Sequence, residues 1–213
     1  MKAARILLLP GWQNSDPGHW QSRWEQRFGF ERVQQDDWWW PRRGDWMARL
    51  DEVLLSDDGG SADPPAGPAV LVAHSLGCQL VAHWAAHSRH AARVSAALLV
   101  ALPDIARADM PPQLQAWAPI PAVPLPFAAT AVLSADDPYC SADRGRRMAA
   151  DWGCATVVDA GAAGHLNAAS GLGDWPAGIA LLDTLLTDAG LRRADRPTAP
   201  TTAGKPGPSG APN

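Results

Sequence analysis

The sequence Ala69-Val70-Leu71-Val72-Ala73-His74-Ser75-Leu76-Gly77 leads from an apolar run into a helical pattern that begins at Cys78. The apolar run predicts a buried strand. Ser75 is flanked by small residues, which a sharp turn requires because bulky side chains two positions away would collide with it. A turn of this kind, a nucleophile elbow, holds a serine hydroxyl out at the carboxyl edge of a parallel sheet. Ala73 occupies the place of the first glycine in the pattern G-x-S-x-G.

Strand-like and helix-like segments alternate along the rest of the chain. The apolar runs predict strands over residues 6–9, 31–34, 69–72, 96–101, 130–134 and 155–158, and the helical patterns predict helices over 18–28, 45–55, 78–87, 141–152 and 176–186. Short strands that are apolar throughout are typical of parallel strands whose two faces are covered by helices. The sequence therefore predicts a single-domain, three-layer α/β/α fold with a mostly parallel sheet.

Three segments lack these patterns. Residues 191–213 are rich in Pro, Gly, Ala and Thr and bury too little apolar surface to offset the entropy of ordering. We therefore predict a domain over residues 1–190 and a disordered tail over 191–213. Residues 57–68 are rich in Gly, Asp and Pro and predict a loop. Residues 103–127, rich in proline and long for a connection, are a candidate lid over the carboxyl edge of the sheet.

The composition argues against several classes of function. The net charge is −4 and no stripe of Lys and Arg interleaves with aromatic residues, so no nucleic-acid partner is expected. No apolar run reaches the roughly 18 residues that span a bilayer, and no signal-peptide core is present, so we expect a cytoplasmic protein without membrane association. The three cysteines are widely spaced, which suits reduced thiols and lacks the paired spacing of a zinc site.

Ser75 needs a base to take its proton, and six histidines are candidates. His165 lies in a small-residue loop directly after the last predicted strand. Such a loop opens at the carboxyl edge of the sheet, where Ser75 also lies, so we predict His165 as the general base. Of the other histidines, His74 precedes the serine at a sharp turn and His19 begins the first helix. His83, His87 and His90 recede from the site.

The imidazole of His165 needs a carboxylate to fix its tautomer. Asp136 and Asp137 follow a predicted strand, and Asp137 precedes a proline, which keeps it in an extended turn. We predict Asp137 as this carboxylate and Asp136 as a cap or solvent contact, and the alternatives are Asp104 and Asp159. The order Ser, Asp, His along the chain is that of α/β-hydrolases.

An oxyanion formed at Ser75 needs backbone N–H donors. We predict the N–H of Leu76, the residue after the serine, and the N–H of Trp12, in the loop after the first strand. Gln13 is the next candidate in that loop. The competing interpretation is that Pro10-Gly11 only ends the strand.

The chain has 11 tryptophans, and three are consecutive in Trp38-Trp39-Trp40. Three adjacent rings cannot all face one core. We therefore predict that at least one ring, which we assign to Trp39, lines the mouth of the pocket and contacts substrate; packing under the loop is the alternative. Gln13 and His19 are the other predicted substrate-binding residues.

Five motifs together carry a family resemblance: Leu9-Pro-Gly-Trp-Gln-Asn-Ser15, Gly18-His-Trp-Gln-Ser-Arg-Trp-Glu25, Ala73-His-Ser-Leu-Gly77, Ser134-Ala-Asp-Asp-Pro138 and Gly164-His165. Over residues 4–188 the chain resembles the YdeN-like group of small serine hydrolases, to which retinoblastoma-binding protein nine belongs. The resemblance implies a compact α/β-hydrolase fold, a triad of Ser75, Asp137 and His165, and no metal or organic cofactor. It names no substrate.

The resemblance does not extend to the retinoblastoma partner. Binding of that partner depends on a peptide of the pattern L-x-C-x-E, whereas this chain has Leu76-Gly-Cys78-Gln-Leu80, without the glutamate and inside the helix predicted after Ser75. No partner of this type is expected.

The sequence leaves two functions open. The first is a serine hydrolase, a carboxylesterase that cleaves a small-molecule ester through an acyl-enzyme intermediate. The second is a binding or interaction protein of the α/β-hydrolase fold with vestigial catalysis. The imperfect elbow, the tryptophan run and the proline-rich stretch motivate this alternative.

Overall fold

The computed structural model describes residues 1–56 and 67–194, and these are built around a seven-stranded parallel sheet. The strands are β1 (Lys2–Leu9), β2 (Glu31–Arg32), β3 (Ala69–His74), β4 (Val94–Val100), β5 (Ala128–Leu133), β6 (Thr156–Asp159) and β7 (Leu191–Arg193). The helices are α1 (Trp20–Phe28), α2 (Arg43–Leu55), α3 (Leu76–His87), α4 (Ala142–Asp151) and α5 (Pro176–Asp188). The strand order is β2-β1-β3-β4-β5-β6, with β7 paired to β1. The predicted single-domain α/β fold is confirmed.

Each face of the sheet has its own core, because successive side chains of a strand point to opposite faces. In β1, Leu7 and Leu9 lie in one core cluster, whereas Ile6 and Leu8 lie in the other. We call the first the α3 face, since α2, α3 and α4 contribute to its core. The second is the α1 face, which α1 and α5 cover. The strands are buried from both sides, as their continuous apolar runs predict.

The structure moves some of the predicted boundaries. Strand β2 contains only Glu31 and Arg32 instead of residues 31–34. The sheet extends through β7, past the boundary predicted at residue 190, because Leu191 is buried and β7 pairs with Lys2–Ala4 of β1. The rest of the predicted tail, residues 195–213, and residues 57–66 of the predicted loop lie outside the described residues.

The connection from β4 to β5 packs along the α3 face. It contains one 3₁₀ turn, Pro112–Trp117. The indole of Trp117 is fully buried and donates to the carbonyl of Pro41 at 2.8 Å, and the Trp117 carbonyl accepts from Nε2 of His83 at 2.8 Å. The candidate lid is therefore anchored by the 3₁₀ turn in its middle, and the part before that turn reaches the carboxyl edge of the sheet.

Helix α3 begins in direct contact with the end of β1. A Cβ atom on Gly77 would lie 2.2 Å from the carbonyl oxygen of Leu9 and 3.0 Å from that of Pro10. Only glycine fits this approach, so the second glycine of the elbow pattern is a packing requirement. Ala73, at the place of the first glycine, lies inside β3, and its methyl group is part of the α3-face core. Alanine is therefore accommodated there.

We expect Gly77→Ala to lower the free energy of unfolding by about 1–3 kcal/mol, because the added methyl must displace backbone rather than a flexible side chain. Gly44→Ala in α2 is the control, since a Cβ atom there meets nothing within 4 Å. Alanine should raise helix stability at that position by up to about 1 kcal/mol. Urea denaturation measures both, and a Gly77→Ala protein as stable as wild type would contradict the packing argument.

Candidate active site

Ser75 has a strained backbone that holds its side chain at the carboxyl edge of the sheet. Its φ of 53° and ψ of −123° are rare for a residue other than glycine. The Ser75 N–H donates to the carbonyl of Val100 at 3.0 Å, and the Ser75 carbonyl accepts from the N–H of Cys78 at 2.8 Å. A Cβ atom on Gly11 would lie 2.8 Å from Cβ of Ser75, so the loop after β1 passes the serine as closely as glycine allows.

Three of the predicted side chains form a continuous path of hydrogen bonds. Oγ of Ser75 lies 2.8 Å from Nε2 of His165, and Nδ1 of His165 lies 2.9 Å from each carboxylate oxygen of Asp137. The side chains of His165 and Asp137 are only 9% and 4% exposed. Since a carboxylate only accepts, Nδ1 carries the imidazole proton and Nε2 accepts from the Ser75 hydroxyl. In this arrangement a neutral imidazole can remove the serine proton.

These residues come from three different strand ends. Ser75 follows β3, Asp137 follows β5 and His165 lies in the loop after β6. Parallel strands bring their carboxyl ends to one edge, which explains how residues so far apart in the chain meet. Tyr139 adds to the arrangement. Its N–H donates to Asp137 at 2.9 Å, and its ring stands edge-on to His165 with the centroids 4.5 Å apart.

Asp136 holds the loop that carries His165. Its carboxylate accepts from the Ser134 hydroxyl at 2.8 Å and from the N–H of Gly164 at 2.7 Å, and these two bonds keep the pKa of the Asp136 carboxyl below its ordinary value. Oγ of Ser134 also accepts from the N–H of Ala163 at 3.0 Å. Asp136 is exposed to solvent, as expected, and its carboxylate also anchors the backbone immediately before His165.

The two alternative carboxylates are engaged elsewhere. Asp104 lies 3.3 Å from Arg144. Asp159 accepts from the N–H of Gly161 at 2.9 Å and from Arg146 at 3.1 Å. Asp137 is therefore the carboxylate that the geometry pairs with the imidazole.

His74 contacts the backbone of His165. Its Nε2 donates to the His165 carbonyl at 2.9 Å, and its ring lies edge-on to that of His19 with the centroids 4.6 Å apart. Burial, above all, holds the pKa of His74 well below its ordinary value, so this imidazole stays neutral. The residue that precedes the serine thus also secures the position of the histidine.

His19 caps α1 with its imidazole. Nδ1 accepts from the N–H of Gln21 at 3.1 Å, and the residue is only 3% exposed. Burial lowers the pKa of His19 to about 4, although the nearby Asp16 carboxylate acts in the opposite sense.

The predicted oxyanion donors differ in availability. Leu76 is the first residue of α3, and the first N–H groups of a helix have no intrahelical acceptor. The N–H of Trp12 has no acceptor among residues 1–56 and 67–194, whereas the N–H of Gln13 donates to the carbonyl of Trp38 at 3.0 Å. Gln13 is therefore not available as a donor, and Leu76 and Trp12 remain the candidates.

Ser75 opens into a cavity of about 540 Å³. His165 lines the same cavity, and so do the predicted substrate-binding residues Gln13, His19 and Trp39. A larger groove of about 810 Å³ lies at the start of α2 and is lined by none of the three hydrogen-bonded residues. The cavity at Ser75 is therefore the candidate active site.

The consecutive tryptophans lie in different environments. Trp38 packs against Trp46 with ring centroids 5.3 Å apart, whereas Trp39 and Trp40 are 63% and 61% exposed. The Asp37 carboxylate accepts the backbone N–H groups of Trp39 and Trp40 and fixes the turn. Trp39 lines the cavity at Ser75, and Trp40 lines the larger groove. Both environments considered for this run, the pocket mouth and packing under the loop, therefore occur.

Apart from Ser75, Asp137 and His165, the described part of the chain contains thiols but no metal-binding cluster. The three cysteines are unpaired, and Cys78 is fully buried in α3, within the segment compared with L-x-C-x-E. No group of three or more His, Cys, Asp or Glu side chains in residues 1–56 and 67–194 could hold a metal ion. None of the helices described for the chain is long and apolar enough to cross a membrane.

A sequence model for a family described as serine hydrolase matches residues 6–184. The chain belongs to the serine hydrolase family. Solved structures agree with this assignment. A YdeN-like hydrolase from Pectobacterium atrosepticum is 28% identical to this serine hydrolase, with a TM-score of 0.73 over 88% of this chain and 92% of that chain. The ydeN gene product of B. subtilis is 19% identical, with a TM-score of 0.63 over 88% of this chain and 100% of that one. The YdeN-like resemblance is confirmed.

The fold is shared with esterases as well. Esterase 2 of Thermogutta terrifontis is 16% identical to this serine hydrolase, with a TM-score of 0.62 over 89% of this chain and 84% of that chain. At this level of identity the likeness concerns the fold. A search of curated protein sequences gave no match.

The buried His19 predicts a loss of stability in acid. Its pKa is about 4 in the folded protein and 6.5 without burial, so between these values the unfolded state binds more protons. The stability that neutral His19 contributes is fully present above pH 6.5 and is lost as the pH falls to about 4. Over this window the free energy of unfolding changes by at most about 1.4 kcal/mol per pH unit because of His19.

We expect His19→Asn, which retains an acceptor for the N–H of Gln21, to flatten the pH dependence of the free energy of unfolding within that window. Urea denaturation across the window measures the slope. The control is Gln26→Asn on the exposed side of α1, which removes no titratable group and should keep the wild-type slope. A slope that His19→Asn leaves unchanged would contradict the assignment of His19 as a buried neutral group.

Proposed function

We propose that this serine hydrolase cleaves a small carboxylic ester, with Ser75 as nucleophile, His165 as general base and Asp137 as the carboxylate that orients the base. The proposal rests on the unbroken hydrogen-bond path, 2.8 Å from Ser75 to His165 and 2.9 Å from His165 to Asp137, beside a cavity of substrate size. The esterase fold of a structural neighbour supports an ester as the substrate class.

Acylation begins when Nε2 of His165 takes the proton of the Ser75 hydroxyl as Oγ bonds to the ester carbonyl carbon. The π electron pair of the carbonyl moves to its oxygen and gives a tetrahedral oxyanion. Asp137 accepts from Nδ1 throughout and stabilises the imidazolium. The intermediate then expels the alcohol oxygen, which takes the proton from Nε2, and the acyl group remains on Oγ.

The N–H groups of Leu76 and Trp12 receive the oxyanion in this mechanism. Within residues 1–56 and 67–194 neither N–H has a competing acceptor, so no bond among these residues has to break before they donate. Loss of one such donor typically costs about 2.7–4 kcal/mol of transition-state stabilisation.

In deacylation, water takes the place of the Ser75 hydroxyl as the nucleophile. Nε2 of His165 removes a proton from the water as its oxygen attacks the acyl carbon. When the bond between that carbon and Oγ breaks, the proton returns from Nε2 to Ser75. The carboxylic acid is released and ionises in solution.

A fluorophosphonate probe should label wild-type protein once, at Ser75, and should not label Ser75→Ala. Ser56→Ala, which removes an exposed serine at the end of α2, is the control and should label as wild type does. Paraoxon is a second probe, since esterase 2 of Thermogutta terrifontis was found phosphorylated by it. Mass spectrometry locates the adduct. Equal behaviour of wild type and Ser75→Ala towards the probe and towards 4-nitrophenyl butyrate would favour the binding alternative.

Asp137→Asn should lower kcat/KM for 4-nitrophenyl butyrate by about 10⁴-fold, because the amide favours the wrong tautomer of His165. Asp136→Asn is the matched control. Its side-chain oxygen can still accept from Gly164 and Ser134, so we expect it to retain activity within about tenfold. A larger loss in Asp136→Asn than in Asp137→Asn would reverse the two assignments.

A further inference from the structure

The two walls of the cavity at Ser75 have different chemistry. On the α3 face the wall includes Ile105, Met110 and Leu114, from the connection after β4. These side chains are 2%, 7% and 7% exposed and belong to the α3-face core. They present only hydrocarbon and a thioether, which favour an apolar occupant.

The opposite wall carries amide groups with unused donors. Oδ1 of Asn14 accepts from the N–H of Ser15 at 2.8 Å and from Arg32 at 2.6 Å. Oδ1 of Asn167 accepts from the N–H of Ala169 at 3.0 Å. The donors that bind each side-chain amide oxygen distinguish that oxygen from the amide nitrogen. Neither amide nitrogen, that of Asn14 or that of Asn167, donates to an acceptor within the described residues.

A carboxylate completes this polar wall. Oδ1 of Asp16 accepts from the N–H groups of Gly18 and His19 at 2.7 and 3.0 Å, which leaves Oδ2 as an acceptor on a residue that lines the same cavity as the two amides. The wall therefore offers donors and an acceptor together. Hydroxyl groups, which both donate and accept, match this combination.

The position of His165 shows which half of an ester meets which wall. The leaving oxygen must come within hydrogen-bond reach of Nε2, because that atom protonates it. The chain continues from His165 to Asn167 and Ala168, and a Cβ atom on Gly18 would lie 3.7 Å from that of Ala168, so the two polar loops adjoin. An ester whose leaving oxygen faces Nε2 would therefore place its alcohol half by the polar wall and its acyl half towards Met110 and Leu114.

We infer that the substrate is an ester between an apolar carboxylic acid and a polyhydroxylated alcohol. This inference rests on the proposed function and adds the direction in which the ester lies across Ser75. The acyl chain packs on Ile105, Met110 and Leu114, and the hydroxyl groups of the alcohol bind Asn14, Asn167 and Asp16.

The test compares kcat/KM of wild type for glyceryl monobutyrate, glyceryl monoacetate, propyl butyrate and propyl acetate. We expect the butyrates to exceed the acetates by at least about tenfold, because two more methylenes reach the apolar wall. The glyceryl esters should exceed the propyl esters by about three- to tenfold, the effect of one or two neutral hydrogen bonds. Acetates as good as butyrates, or propyl esters as good as glyceryl esters, overturn the inference.

Two variants assign these preferences to the walls. Asn167→Asp retains the acceptor for Ala169 but loses the amide donor, so it should remove the preference for glyceryl esters and keep the butyrate preference. Glutamine is similar in length to methionine but polar, so Met110→Gln should remove the butyrate preference and keep the preference for glyceryl esters. Asn14→Asp also removes an amide donor from the polar wall, and it replaces Asn167→Asp in the test if that variant does not fold. If one variant changed both the butyrate-to-acetate ratio and the glyceryl-to-propyl ratio of kcat/KM, the assignment of the two preferences to separate walls would be contradicted.

Probe labelling separates this inference from the proposed function. A wild-type protein that is labelled at Ser75 and shows no preference among the esters overturns the inference alone. A protein that neither reacts with the probe nor cleaves any of these esters overturns both.

Discussion

The close approach of α3 to the end of β1 is the constraint on which the rest of the site depends. Because Gly77 has no Cβ atom, the helix starts against the carbonyl of Leu9, and the turn before it is compressed into the positive φ of Ser75. Such a conformation costs about 1–3 kcal/mol and persists only where the surroundings over-determine it. The pairing of β3 with β1 on one side and β4 on the other supplies that support. The serine hydroxyl faces the cavity because the paired strands keep the turn in this strained conformation.

The histidine is held through its backbone as well as through its ring. Ser134 and Asp136 bind the N–H groups of Ala163 and Gly164, and His74 binds the carbonyl of His165. With these bonds on both sides, the imidazole is directed at Ser75 before any substrate arrives. Preorganisation of this kind is how a proton-transfer path avoids reorganisation during reaction.

The sequence predicted the features that depend on local pattern and strand order. Ser75, Asp137 and His165 were found because each follows a different strand, and their catalytic roles stay predictions. The anchoring roles of Asp136 and His74 were missed because their partners are backbone groups 28 and 91 residues away, in loops whose path no residue pattern encodes. Strand β7 was missed for a related reason, since Leu-Arg-Arg is too short to show any periodicity.

Strand β7 has a consequence for how the molecule assembles. Lys2, in the first strand, pairs with Leu191, so a contact of the central sheet joins segments at nearly opposite limits of the described chain. On a ribosome, the beginning of β1 leaves the exit tunnel long before its partner has been synthesised. Pairings of such large sequence separation form slowly, because the intervening chain must be brought into place first. Strand β1 is made before the other described strands of this sheet, yet it is among the last to acquire all of its neighbours.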